Sequence, residues 1–135
     1  MKSNNARLTK FKSLFAAEGS NTVSDVLVVK HYDYIVIQVA TAALTDGELR
    51  VRSSTDKSVD LTAAKAVDNI WGYKYLWDLD SGSGIVGSAG VVPGGAISEE
   101  YKVNVDGTKL LALEISSWTA GAYTANVYGV SIYGS

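Results

Sequence analysis

Apolar positions change their period once along this chain. In residues 1–18, Leu8, Phe11 and Phe15 stand at i, i+3 and i+7, with Leu14 adjacent. That spacing draws one apolar stripe along a helix. Lys10, Lys12 and Ser13 fall mostly off it, and Gly19-Ser20-Asn21 would end it. The segment reads as a short N-terminal amphipathic helix or an extended arm. From about Val23 the pattern becomes strand-like. Residues 26–30 form a short apolar run. The sequence Tyr-Ile-Val-Ile-Gln-Val-Ala at 34–40 is β-branched nearly throughout, as a central strand is. Thr45-Asp46-Gly47-Glu48 predicts a turn. In residues 49–53, Leu49 and Val51 share one face, Arg50 and Arg52 the other.

The clearest alternation lies in residues 71–79. Trp71, Tyr73, Tyr75 and Trp77 would all project from one face of a strand. Large aromatics commonly fill sandwich cores, so burial of most of these rings is expected. The alternative is a solvent-facing platform for sugars, with Trp118 and Tyr123 contributing from a neighbouring loop. Further on, Tyr101, Val103 and Val105 alternate within residues 97–105. Residues 104–109, centred on Asp106-Gly107, predict a hairpin. Leu111, Leu113 and Ile115 share a face in residues 109–116. Ala120-Gly121 would turn the chain into a last strand over 123–133, bulged near Gly129. Residues 54–70 and 80–98 read as loops; the Ala-rich part at 61–67 would form either a single helical turn or a loop that packs Leu61 and Val67 against the sandwich edge. The prediction is an all-β chain: an arm over 1–22, then a single jelly-roll-like β-sandwich over 23–135 with about seven or eight antiparallel strands.

Composition narrows the function more than the fold. A chain of 135 residues can bury a real core, and with no Cys its stability comes from packing or partner subunits. The net charge of −2 gives no general attraction to nucleic acid. Its distribution is uneven: residues 1–18 carry about +3 and the rest about −5, a basic arm on an acidic body. No run is long enough for a transmembrane helix, and Lys10 and Lys12 interrupt the early apolar residues. Synthesis in a cytoplasm without a signal peptide is expected, with no membrane partner.

Catalytic and cofactor chemistry find no support in the sequence. His31, the single histidine, has no Cys partner and no serine-nucleophile motif. Asp78 and Asp80 would share a strand face, but a chain with 14 acidic residues offers many such pairs. Asp78-Leu79-Asp80-Ser81-Gly82 begins like a calcium loop, yet Ala89 stands where the bidentate Glu belongs. Gly82, Gly84 and Gly87 have dinucleotide-loop spacing without the strand–turn–helix context. The expectation is no enzyme, no metal and no cofactor.

From about Asp25 to Val130 the order of elements resembles a family of small β-sandwich accessory proteins of tailed-phage virions. The matching stretches are the Tyr-rich strand at 31–39, Leu49-Arg50-Val51-Arg52-Ser53-Ser54, and Asp60-Leu61-Thr62-Ala63-Ala64. They continue with Asp68-Asn69-Ile70-Trp71 and Tyr73, Asp78-Leu79-Asp80-Ser81-Gly82-Ser83, then Gly87 with Gly90-Val91. The last is Tyr101-Lys102-Val103-Asn104-Val105-Asp106-Gly107. Order and spacing carry the resemblance, over about three-quarters of the chain. It implies a virion protein made in a host cytoplasm: a capsid decoration, cement or head-fibre subunit that oligomerises. A trimer is the expected assembly. The arm lies outside the resemblance. Its stripe and charge suggest attachment to a major capsid or other virion protein through Leu8, Phe11 and Phe15 as apolar area, with Lys10 and Lys12 against an acidic surface. The competing function is a carbohydrate-binding module using Trp71, Tyr73, Tyr75, Trp77 and Trp118.

Overall fold

The computed structural model describes residues 6–66, 69–93 and 95–132, and of residues 6–11 the backbone. The elements are strands throughout: β1 (Ala6–Glu18), β2 (Thr22–Val23), β3 (Leu27–Val28), β4 (Tyr34–Ser54), β5 (Gly72–Tyr73), β6 (Leu76–Asp78), β7 (Gly84–Ile85), β8 (Ser98–Asn104) and β9 (Leu110–Ile132). They form one antiparallel sheet in the order β1-β9-β4-β8-β6-β7, with β2 and β3 also on β9 and β5 on β4.

A ribbon of two long strands, β4 with 21 residues and β9 with 23, is the spine. It cannot be straight. The Val105 amide donates to the Asp33 carbonyl at the start of β4, and the Lys109 amide donates to the Ser54 carbonyl at its end. Four residues of chain reach at most about 14 Å, whereas a straight strand of this length would run about 70 Å. The ribbon therefore folds over, and one sheet supplies two facing layers. The first layer holds β1, the 123–130 part of β9, the 34–40 part of β4, β8, β6 and β7. The second holds β2, β3, the 110–116 part of β9, the 48–54 part of β4, and β5.

The fold-over sits at two register shifts between Ala42 and Glu48. Ala43 there has a φ of 49°, and Gly121 opposite has a φ of 97°. A Cβ on Gly121 would lie 2.4 Å from the Leu44 Cα, so glycine is what lets the two strands cross so closely. Between the layers lies the main core. Ile35, Ile37 and Val39 meet Leu49 and Val51 there, although all five belong to one strand.

Several expectations change. The sequence predicts strands of ordinary length in two sheets; the structure makes one doubled sheet. Asp46-Gly47 is no hairpin turn but part of the bulged corner within β4, where the Gly47 amide donates to Asp46 Oδ1 at 2.8 Å. Ala120-Gly121 is likewise a corner inside β9. Asp106-Gly107 does turn, with φ of 44° and 83°, but β8 and β9 flank β4 instead of pairing with each other. The bulge expected near Gly129 lies in β1 opposite it, between Leu8 and Lys10.

Residues 6–18 are not a helix. A lone helix of this length is marginal in water. As a strand, the same residues satisfy the backbone groups along one side of β9. Three register shifts re-aim the side chains of β1, which is how a helix-like spacing fits a strand. Residues 67–68 and 133–135 lie outside the described residues, so the expected packing of Val67 and the end of the last strand at Tyr133 are not described.

Candidate binding face

The two layers differ on their outer surfaces. Residues 55–66 and 69–71 cover the second layer and make a smaller core, with Val59, Leu61 and Trp71 against Leu110 and Ala112. The long loop seen in the sequence is thus a lid packed on the sheet. Beneath it, Arg52 forms a buried ion pair with Glu114 on the adjacent strand. Arg52 Nη1 also donates to the carbonyls of Leu61 and Ala63, each at 2.8 Å, which ties the lid down. Arg50 Nη2 reaches Glu48 at 2.7 Å, and the Tyr73 hydroxyl donates to Glu114 Oε1 at 2.9 Å. Burial, followed by that carboxylate, pushes the Tyr73 phenol pKa above its ordinary value. This network joins β4, β9, β5 and the lid through charge-assisted bonds.

Among the described residues, no such lid lies on the outer surface of the first layer. Burial alternates along β4: Ile35, Ile37 and Val39 face the core, while Tyr34, Val36 and Gln38 are half-buried on the outside. The Tyr128 hydroxyl donates to Gln38 Oε1, and Gln38 Nε2 donates to Glu100 Oε2, both at 3.1 Å. The Lys102 ammonium lies 4.7 Å from the centre of the Tyr34 ring. Lys102 stands opposite Val36 on one side and Trp77 on the other. Aromatic and hydrogen-bonding groups therefore run across β9, β4, β8 and β6.

The aromatic stretch 71–77 divides between these surfaces. Lys74 and Tyr75 interrupt it, so β5 pairs with β4 while β6 pairs with β8. The Trp71 and Tyr73 rings meet edge-on, centres 5.2 Å apart, with Trp71 buried beside Arg52. Tyr75 and Trp77 make a separate pair, centres 4.9 Å apart and planes at 50°. These two are 44 % and 39 % exposed. Their neighbour Leu76 fills the core instead, so the alternation is real but its aromatic phase points outward at β6. Of the four rings expected on one face, Trp71 is core, Tyr73 is half-buried, and Tyr75 and Trp77 face solvent. Trp118 belongs to the fold-over corner, where its indole N–H donates to the Gly121 carbonyl at 2.9 Å. Tyr123, offered as a partner for Trp118 in the platform reading, is fully buried in the main core.

The other candidates fall elsewhere. Leu8, Lys10 and Phe11 lie in β1, and their side chains are outside the described residues. Phe15 is buried in the main core, so it is committed to this chain's own body. Lys12 lines a cleft of about 380 Å³ beside Leu27, Tyr32 and Val127, with the exposed His31 also at it. Asp78 Oδ1 accepts from the amides of Asp80 and Ser81, the geometry of a turn. Sequence reasoning missed Tyr34, Gln38, Lys102 and Tyr128. For Tyr34 and Gln38 the signal was an aromatic and a polar residue on the same face of 34–38, inside a run that reads as buried on both faces; Lys102 and Tyr128 join them only through strand pairing.

No protein-family model matches the chain, and no curated protein matches it by sequence. Among solved structures, the crystal structure of the SPBc2 prophage-derived protein YomS is similar, with a TM-score of 0.69 at 13 % identity over 97 % of this chain and 99 % of that one. The all-β fold of this chain is thus shared, essentially end to end, with a prophage-derived protein.

Proposed function

We propose that this chain is a non-enzymatic structural protein of a phage particle: a capsid decoration, cement or head-fibre subunit. The observation that supports this is the end-to-end likeness of fold to a prophage-derived protein. The match covers nearly all of both chains, so the likeness of fold takes in the whole unit and not one part of it. The body assembles as a homo-oligomer, a trimer, and the N-terminal segment attaches it to a major capsid or other virion protein.

With Phe15 inside the body, attachment runs along the outer edge of β1, at the end of the sheet order. An edge strand offers backbone donors and acceptors to a partner. Lys10 and Lys12 add positive charge for an acidic surface.

Binding of the purified protein to particles that lack it is the test. Co-sedimentation of wild type, and its loss in the Lys10→Glu, Lys12→Glu double variant, is the expected result. Failure of the wild-type protein to sediment with such particles would overturn the reading.

A further inference from the structure

We propose that the exposed Tyr75–Trp77 pair, with the polar row beside it, is a binding site for a neutral oligosaccharide built of pyranose rings. This goes beyond the particle reading and stands on separate observations.

The chain's own packing positions the rings. A Cβ on Gly84 would lie 2.3 Å from the Tyr75 ring, so the ring occupies the space that a side chain on β7 would fill. Gly84 has no left-handed φ, so its backbone conformation does not call for glycine. Room for the ring is what glycine provides there. Trp77 is set by β6, whose Leu76 is anchored in the core. Two fixed, half-exposed rings inclined at 50° form an open angle rather than a closed stack. Pre-positioned aromatics bind with little loss of side-chain freedom.

The surroundings select the ligand. A pyranose presents an apolar C–H face and a rim of hydroxyls, so it needs a ring face with donors and acceptors beside it. Lys102 stands directly opposite Trp77 in the strand register, and Glu100 is two residues along β8. Glu100 accepts from Gln38, which leaves it lone pairs for a sugar hydroxyl. On the other side follows the polar turn Asp78-Leu79-Asp80-Ser81-Gly82-Ser83. Beside the rings one carboxylate, Glu100, is bonded by Gln38 and one ammonium, Lys102, lies over the Tyr34 ring, so neither sign of charge dominates to hold an anionic or cationic ligand. Neutral glycans remain.

The test is a printed glycan array carrying neutral and sialylated oligosaccharides, probed with the purified, fluorescently labelled protein and no particles. Wild type is expected to label neutral pyranoside features. Affinity for the strongest of these should fall roughly tenfold or more in Trp77→Ala, the scale of one aromatic stacking contact. Gly84→Ala should weaken it as well by displacing the Tyr75 ring, while circular dichroism shows both variants folded. Trp118→Phe should bind as wild type does. Three outcomes would overturn the proposal: no labelling of any neutral glycan, undiminished labelling by both Trp77→Ala and Gly84→Ala, or dissociation of an oligomer by Trp77→Ala with glycan binding unaffected. The last would assign the pair to contact with a second copy. Because the readout uses no particle, it fails or succeeds independently of attachment.

Discussion

The Arg52 guanidinium stacks over the Trp71 ring, 4.2 Å from its centre, while it is paired with Glu114 beneath the lid. The arginine is thus held by an aromatic face, a carboxylate and two backbone carbonyls. Glu114→Ala leaves that cation buried without its counter-charge and removes the acceptor of Tyr73. A loss of about 3 kcal/mol in unfolding free energy is expected. Limited proteolysis should then cut first within residues 55–70, because the lid loses its anchor.

The two tryptophans of the aromatic stretch should behave differently in chemical denaturation. Trp71→Ala empties a buried site in the smaller core and should cost about 3 kcal/mol or more. Trp77→Ala removes a half-exposed ring that belongs to neither core and should cost less than about 1 kcal/mol. Equal costs would contradict the division of the stretch between two surfaces.

Tyr123 supplies a pH prediction. Its side chain is fully buried, and its hydroxyl has no hydrogen-bond partner among the described residues. Burial, followed by Glu48 and Asp46, pushes its pKa from 10.0 up to about 12. The folded state thus holds the phenol proton more tightly than the unfolded chain does. The associated stability is complete below pH 10 and is lost as the pH rises toward 12. Tyr101, raised by burial and Glu99, acts in the same direction. Tyr123→Phe should stabilise the protein at neutral pH by up to about 1 kcal/mol, since it removes an unpaired polar atom. It should also flatten the alkaline loss between pH 10 and 12 in thermal melts.

Gly121→Ala should be among the most damaging single substitutions. Its positive φ disfavours any side chain, and the new methyl would meet the backbone of Ala43 and Leu44. Backbone on both sides leaves little room to yield, so a loss above about 2 kcal/mol is expected. The measurement is the denaturation midpoint, with Gly82→Ala as comparison, because no atom lies within 4 Å of a Cβ there.

Strand character was legible from period 2 at 49–53, 98–104 and 110–116, and from the β-branched run at 34–40. The corner was not. Asp46-Gly47 and Ala120-Gly121 carry turn chemistry, but long-range pairing of β4 with β9 continues across them, so local preference became a bulge. For residues 6–18 the sequence left helix and extended arm open, and the extended form is found: bulges shift the apolar positions out of alternation, and the open side of β9 is what draws them out. For the candidate site, the sequence showed that Trp71, Tyr73, Tyr75 and Trp77 alternate. Where the strand breaks at Lys74 and Tyr75 depends on which neighbours, β4 or β8, capture each half.

Among the described residues, β1, β2 and β3 all take their partner from β9. On a ribosome, residues 110–132 are the last of these to emerge. The early strands therefore wait unpaired through most of synthesis, and the smaller contacts made by β4 with β5 and β8 cannot close the layers. Folding of this chain is a late, concerted event that follows delivery of β9. Pairing so distant in sequence is slow, and the waiting strands are open to mispairing with other chains.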